Sequence, residues 1–319
     1  MSDTAGVLAL AEQRFGVLTL ARAERHGVSY AQVRALLRQG VLVREADGVF
    51  RAVGAPRTYE QQVALAIAAA GGHAWAAGPC AARLWRKGIP WFEQADPEIV
   101  VPYGRRSLTD ARRFSTVRRT RALAPFDRTT LHGLPITSKR RTVVDCLGAV
   151  SEPALFALAD DVLFRSDPRG LRAAFARSRR TRHARTMDRI LAPWEHDGPP
   201  PESPKEMSLV RVLLDAGLPL PERQVPIVDP ATGRTVARAD HGYVAARLAI
   251  EYLGQRDHGL RQAHGDALRH TDLEAMGWTA AYARKDDLAH PQPFVARVIA
   301  LLDARLPERH PLRRHLRAG

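Results

Sequence analysis

Three carboxylates in the last third of the chain have types and spacing suited to phosphate chemistry: Glu206 on a helix-forming stretch, Asp240 at the end of a strand-forming one, and Glu251 in the next. Hydrolysis of a phosphodiester needs a hard divalent cation to polarise the phosphate and lower the pKa of the attacking water. Mg2+ takes a few carboxylate oxygens and keeps several of its own waters. Asp240 and Glu251 on neighbouring antiparallel strands could supply two such oxygens. Each also has a structural reading, Asp240 as the cap of a turn before His241-Gly242 and Glu251 as a solubility charge on an edge strand. Glu251 follows Leu248-Ala249-Ile250, which reads as a buried strand. An unpaired carboxylate there is expensive, which favours a ligand or ion-pair role. His258 could act as a general acid or base, or be a surface imidazole among the 12 histidines of the chain. Asp266 and Arg269, three residues apart on a helix, read as a surface ion pair, and Gly277-Trp278 as a helix end followed by a core aromatic.

A second group of residues is spaced to read nucleic acid. Ser29 caps a helix whose buried face is Val33, Leu36 and Leu37, leaving Ser29, Tyr30, Gln32, Arg34 and Arg38 away from the apolar side. Arginine pairs with guanine edges and glutamine with adenine edges, and either can hold a phosphate instead. Gly40 stops this helix, and two β-prone runs follow around Asp47-Gly48, a hairpin turn signal. With helices at Val7–Ala11 and Leu18–Arg25 before it, the order is that of a winged helix-turn-helix. Such units also serve as protein-interaction modules, and the balance of 7 basic to 5 acidic residues through Pro56 leaves that reading open.

The net charge of +14 points to a polyanionic partner, duplex DNA first, because neutralising phosphates releases condensed counterions. Lysine occurs only at positions 87, 139, 205 and 285, so arginine makes up 44 of the 48 basic residues, as a GC-rich genome would give. That bias does not explain the excess over acids, which is concentrated in the middle of the chain. There are 11 basic and 2 acidic residues from Tyr103 to Arg141, and 9 against 2 from Arg165 to Arg189, whereas Ser203 to Gly319 has 17 against 14. Arg112, Arg113, Arg118 and Arg119 are therefore candidate DNA contacts. Cys80 and Cys146 sit in apolar helical contexts and read as buried free thiols rather than a disulfide or zinc site. No leader pattern opens the sequence and no apolar run is long enough to span a bilayer, so a cytoplasmic protein without membrane contact is expected.

The expected fold class is α/β, of the α+β multi-domain kind. A winged helix-turn-helix covers residues 1–56, a mixed α/β middle domain 57–150, and a helical connector 151–196. Asp197-Gly198-Pro199-Pro200-Pro201 forms a linker, and an α/β domain over 203–305 follows. In that last domain the expected order is a helix, a three-strand meander (Arg223–Val228, Thr235–Asp240, Ala246–Tyr252), a helix at Gly259–Met276, a strand at Trp278–Ala283 and a helix at Pro293–Arg305.

The C-terminal residues resemble the very-short-patch-repair branch of the PD-(D/E)XK nuclease superfamily. Glu206, Ala216-Gly217-Leu218-Pro219, Arg238-Ala239-Asp240, Ala249 to Gly254, His258, Asp266, Arg269 and Gly277-Trp278 carry the match. The resemblance implies Mg2+ held by Asp240 and Glu251, with Glu206 accessory and His258 near the scissile phosphate. Two residues after the second acid, where that signature often has a polar group, this chain has Leu253, which cannot activate water. A fold kept for binding DNA or protein is the alternative. The N-terminal part resembles AbiEi-type antitoxin regulators of type IV toxin–antitoxin systems through Phe15 to Thr19, His26 to Ser29, Arg38-Gln39-Gly40 and Gly48-Val49-Phe50. Gly133 to Ser138 and Arg141 to Asp145 add to that match. It implies operator binding and neutralisation of a toxin protein encoded nearby. Together these give a DNA-binding regulator with a metal-dependent endonuclease-like domain, or a non-catalytic repressor whose last domain dimerises or docks a partner.

Overall fold

In the computed structural model the described residues are 4–85, 90–104, 108–195, 199–253 and 273–316. The chain is a mixed α/β protein with three sheets. It divides into two compact units, one made of Met1–Ala159 with Arg169–Met187, the other of Asp160–Pro168 with Asp188–Gly319. No described helix is long and apolar enough to cross a membrane.

The first unit opens with α1 (Thr4–Glu12), β1 (Val17–Thr19), α2 (Leu20–Arg25), α3 (Tyr30–Arg38), β2 (Leu42–Ala46) and β3 (Val49–Ala52). The stretch expected as one helix from Leu18 is in fact split, because Leu18 pairs with Phe50 in an antiparallel sheet of order β1-β3-β2. Thr19 then caps α2, its hydroxyl accepting from the Arg22 amide at 3.2 Å. The β-branched Val17 and Thr19 suit the strand, and the helix starts only where Thr19 can satisfy an orphan amide. Gly16 makes the turn before β1 with φ +81°, and a Cβ there would lie 2.2 Å from the Ala55 Cβ, so no other residue fits. Val7, Ala11, Leu18, Ala23, Val33, Leu36, Leu42 and Phe50 form the core of this part.

Next come α4 (Tyr59–Ala69), β4 (Trp75–Ala76), α5 (Gly78–Trp85), α6 (Pro90–Glu93), β5 (Glu98–Pro102), α7 (Thr109–Arg112) and β6 (Thr116–Thr120). They are followed by β7 (Arg128–Leu131), β8 (Leu134–Thr137) and α8 (Lys139–Cys146). The five strands order as β6-β5-β4-β8-β7, with β5 and β6 parallel and β4 and β8 parallel. Their core takes Val17, Ala46 and Val49 of the first sheet together with Val63, Ile67, Ile99 and Ile136, so residues from both sides of Pro56 share one continuous apolar interior. Cys80 and Cys146 are free and buried within this unit. The hairpin turn between β2 and β3 is tied to α7, since the Asp47 amide donates to Asp110 Oδ2 at 3.3 Å and Arg113 donates to the Glu45 carbonyl at 3.2 Å.

The most deeply buried charges described in this unit are matched. Arg141 on α8 pairs with Asp145 at 3.1 Å and with Asp127 at 3.5 Å, and all three are nearly inaccessible. Arg118 on β6 bridges Glu98 and Asp145, each at 3.1 Å, and Arg177 reaches Asp127 at 3.1 Å.

Three helices fall within 151–196: α9 (Glu152–Leu163), α10 (Pro168–Ser178) and α11 (Ala184–Leu191). The second unit continues with α12 (Pro204–Asp215), β9 (Glu222–Val228), β10 (Thr235–Tyr243), β11 (Leu248–Tyr252), β12 (Thr279–Ala283), α13 (Lys285–Ala289), α14 (Gln292–Arg305) and α15 (Arg313–Leu316). The sheet order is β12-β11-β10-β9, an antiparallel meander with β12 added parallel to β11. Leu209, Leu213, Leu248, Ile250, Phe294 and Val298 fill one side of it, and Val225, Ala239, Ala249 and Trp278 the other. Most of the helix expected at Gly259–Met276 lies outside the described residues.

One ion pair fixes the start of this unit. Arg211 of α12 grips both oxygens of Asp160, which is 1% exposed and also accepts from Trp194 Nε1 at 2.8 Å. The same guanidinium donates to the carbonyls of Arg189 and Ile190 at 2.7 and 2.9 Å. Removing one partner of such a pair strands the other charge in a dry interior. Asp160→Ala is expected to destabilise the second unit by about 3–5 kcal/mol, measured by urea unfolding. A loss below about 1 kcal/mol, the scale of an exposed pair, would contradict this placement.

Candidate functional site

Asp240 and Glu251 come together through strand register. The β10–β11 ladder runs from Tyr243 opposite Leu248 to His241 opposite Ile250, so Asp240 and Glu251 are the next residues on the two strands beyond its end. Asp240 Oδ2 accepts from the Tyr252 amide at 3.1 Å, which holds its carboxylate at the Glu251 end of β11. Neither structural alternative for the pair survives. β10 runs on to Tyr243 with no turn after Asp240, and β11 lies between β10 and β12, not at an edge, with Glu251 only 6% exposed. Beside Asp240 an open groove of about 400 Å³ is lined by Arg238, Thr235 and Glu202, with Arg238 ion-paired to Glu202.

Glu206 stands in the first turn of α12, where Ser203 caps the helix by accepting from the Glu206 amide. Its Oε2 accepts from the Glu202 amide at 2.9 Å and from Gln224 Nε2 at 3.3 Å. Burial pushes its pKa up, and the nearby Asp240 charge adds to the rise. Among the described residues no group of three or more His, Cys, Asp or Glu side chains is arranged to hold a metal. Two hard carboxylates at neighbouring positions on adjacent strands nevertheless fit Mg2+, which needs only one or two beside its waters. His258, Asp266 and Arg269 lie outside the described residues. Leu253 is described, and its amide donates to the Ala283 carbonyl at 2.8 Å, extending the β11–β12 ladder.

The site also contains a group that sequence reading missed. His241 is fully buried opposite Ile250, on the sheet face away from Asp240 and Glu251, and next to the backbone of Glu206. Burial, reinforced by the charge of Arg223, pushes its pKa down to about 4. Its only sequence signal is alternation along β10, which 12 scattered histidines obscure.

On α3 the five expected contact residues separate into two groups. Ser29 and Gln32 close a capping box, in which Gln32 Oε1 accepts from the Ser29 amide at 2.6 Å and the Ser29 hydroxyl accepts from the Gln32 amide at 3.3 Å. Tyr30, Arg34 and Arg38 remain exposed at intervals of four, one stripe along the helix, and no described carboxylate pairs with either arginine. In the basic middle segment Arg118 is committed to Glu98 and Asp145, and Arg113 to the Glu45 carbonyl and the Phe114 ring. Arg112 and Arg119 are exposed.

No family model matches the chain. Two proteins of Mycobacterium tuberculosis, the uncharacterized protein MT2308 of strain CDC 1551 / Oshkosh and the uncharacterized protein Rv2248 of strain ATCC 25618 / H37Rv, are each 36% identical to it over 104 residues. That stretch covers 32% of this chain and 38% of each relative, so the chain spans well under half of their length. The solved structure of the RV2827C protein from Mycobacterium tuberculosis aligns with 59% of this chain and 75% of its own, at 18% identity and a TM-score of 0.38.

The buried histidine gives the second unit a pH signature. Its folded pKa of about 4 lies below the ordinary 6.5, so across that window the unfolded chain binds a proton that the folded one refuses. Stability therefore falls as pH drops from about 6.5 to 4, by about 3 kcal/mol at 1.36 kcal/mol per unit. Glu206 opposes this, since a raised carboxyl pKa gives stability that is present below 4.5 and lost as pH rises through the folded value. The clean measurement is the difference between wild type and His241→Met in urea unfolding at pH 7 and pH 4.5. The variant should lose less stability than wild type on acidification, and parallel losses would refute the assignment.

Proposed function

We propose that this protein binds duplex DNA through α3, as a winged helix-turn-helix regulator, and that its second unit is a PD-(D/E)XK-like domain. The observation that carries the first part is the exposed Tyr30–Arg34–Arg38 stripe on a helix whose start is fixed by a capping box. A guanidinium without a protein carboxylate is free to take a guanine edge or a phosphate, and a tyrosine hydroxyl can take a phosphate. The hairpin plays a lesser part in this reading. Its tip carries Asp47, which repels phosphate, and is held back on Asp110 of α7. The toxin partner implied by resemblance has support only in sequence.

A second reading, metal-assisted cleavage of DNA, is favoured by the placement of Asp240 and Glu251 on adjacent strands, with Asp240 lining an open groove. When bound, Mg2+ would polarise a phosphate oxygen and acidify a water. Asp240 and Glu251 would hold it, and the groove gives the backbone of a nucleic acid access to Asp240. Arg238, which lines the groove and is ion-paired to Glu202, would stand beside the phosphate, and the side chain of Leu253 is unsuited to stabilising charge there. If the pair holds no metal, the domain serves a non-catalytic repressor.

Fluorescence anisotropy on duplex DNA tests the first reading. Replacing both Arg34 and Arg38 by Ala should weaken binding at least about tenfold and reduce the slope of log K against log salt by about 2 if both contact phosphate. Arg118→Gln should lower thermal stability and leave that slope unchanged, because its charge is already matched. An unchanged affinity in the double variant would sink the proposal. Plasmid nicking with Mg2+ or Mn2+ tests the second, with Asp240→Asn and Glu251→Gln each expected to abolish cleavage. Wild type that binds DNA through Arg34 and Arg38 but cuts under neither metal would leave the repressor as the standing account.

A further inference from the structure

A cavity of about 190 Å³ in the first unit gathers three arginines that the DNA reading does not use. Arg14 comes from the turn after α1, Arg22 and Arg25 from successive turns of α2, and the apolar wall is built by Ile67 and Ala68 of α4 and Leu134 of β8. No described carboxylate forms an ion pair with any of the three. Their hydrogen bonds are neutral, with Arg22 donating to Gln13 Oε1 at 2.7 Å and Arg25 to the Ala21 carbonyl at 3.2 Å. The Arg22 Nε is buried and has no hydrogen-bond partner. Burial, then the charges of Arg22 and Arg25, lowers the Arg14 pKa. Arg14 and Arg22 are half-buried and Arg25 is exposed at the mouth, so three like charges line one recess and repel one another at a cost that an anion among them would reduce.

The wall opposite narrows the choice of anion. A duplex phosphate brings no apolar body to cover Ile67, Ala68 and Leu134, whereas a small molecule can present a charged head to the guanidinium forks and an apolar remainder to the wall. An engineered cavity of about 150 Å³ accommodates benzene, so this one suits a single ring or a short branched chain. We propose that the cavity is a binding site for a small anion whose carboxylate or phosphate head is held by Arg14, Arg22 and Arg25 and whose apolar body rests on Ile67, Ala68 and Leu134. The site is independent of the α3 stripe and of the carboxylate pair.

Isothermal titration of the full chain with phenyl phosphate, benzoate, inorganic phosphate and phenol tests this. Phenyl phosphate or benzoate, according to which head the cavity prefers, should saturate one site, with a Kd in the roughly micromolar to millimolar range open to so small a ligand. Phenol should not bind, and inorganic phosphate should bind at least about tenfold more weakly than phenyl phosphate if the wall contributes. Arg22→Gln should cost the aromatic anion about tenfold or more. Ala68→Leu, which narrows the cavity without touching its charge, should weaken the aromatic anion and spare inorganic phosphate. Arg57→Gln, on the exposed surface outside the cavity, should change neither. Circular dichroism establishes that each variant is folded, and the comparison among the four probes on wild type stands even if one is not. Absence of saturable binding by both aromatic anions, or binding indifferent to Arg22→Gln, overturns the proposal. So does a result in which Arg22→Gln weakens only DNA, which would make the trio a backbone-phosphate contact.

Discussion

Arg141 reaches Asp145 and Asp127 in a space from which water is nearly excluded, and the first unit is organised around that reach. Asp127 lies just before β7 and also takes Arg177 from α10, while Asp145 also takes Arg118 from β6, which continues to Glu98 on β5. A chain of alternating charges therefore connects two helices to both ends of the five-stranded sheet. A pair of this kind adds little net stability over a well-packed apolar substitute, but it is strongly directional, and breaking it leaves a bare charge inside. Arginine suits the role because its planar fork addresses two carboxylates at once and stays protonated when buried. The abundance of arginine in the composition thus has two destinations, and only the part left over from internal pairing faces a partner.

The carboxylates of the second unit obey the same constraint by other means. Glu206 is satisfied by an amide and a glutamine, and Asp240 by an amide of the neighbouring strand. Fixed N–H donors hold a carboxylate in place without cancelling its charge as a guanidinium would. Asp160, by contrast, has its charge neutralised by Arg211.

The meander carrying Asp240 and Glu251 was legible in the sequence because alternation and turn residues report strands locally, and the Ser29 cap and Asp47-Gly48 turn are likewise local signals. The missed features are those decided by partners distant in the chain. Leu18 has enough helical character to continue α2, but Phe50, more than thirty residues away, draws it into a sheet. Strands β7 and β8, a local hairpin, escaped notice for a different reason, because Pro135 and the run Arg128-Thr129-Thr130 lack an apolar alternation. Arg118 looked like a phosphate contact because two acids that claim it, Glu98 and Asp145, are remote in sequence. Charge counting along a chain cannot tell a surface cation from an internal one, since it carries no information on which acids fold back.

Asp160 and Arg211 are joined across fifty-one residues, and the helix bearing Asp160 begins in one compact unit and ends in the other. On a ribosome the chain appears from its N-terminus, so the acid emerges well before the arginine that neutralises it. Until α12 is made, α9 cannot bury its end without enclosing an unmatched charge. Vectorial synthesis thus imposes an order in which the last turn of α9 waits in water while the N-terminal sheets condense. Fifty-one residues of elongation, about 3–10 seconds at about 5–20 residues per second, separate the acid from its partner.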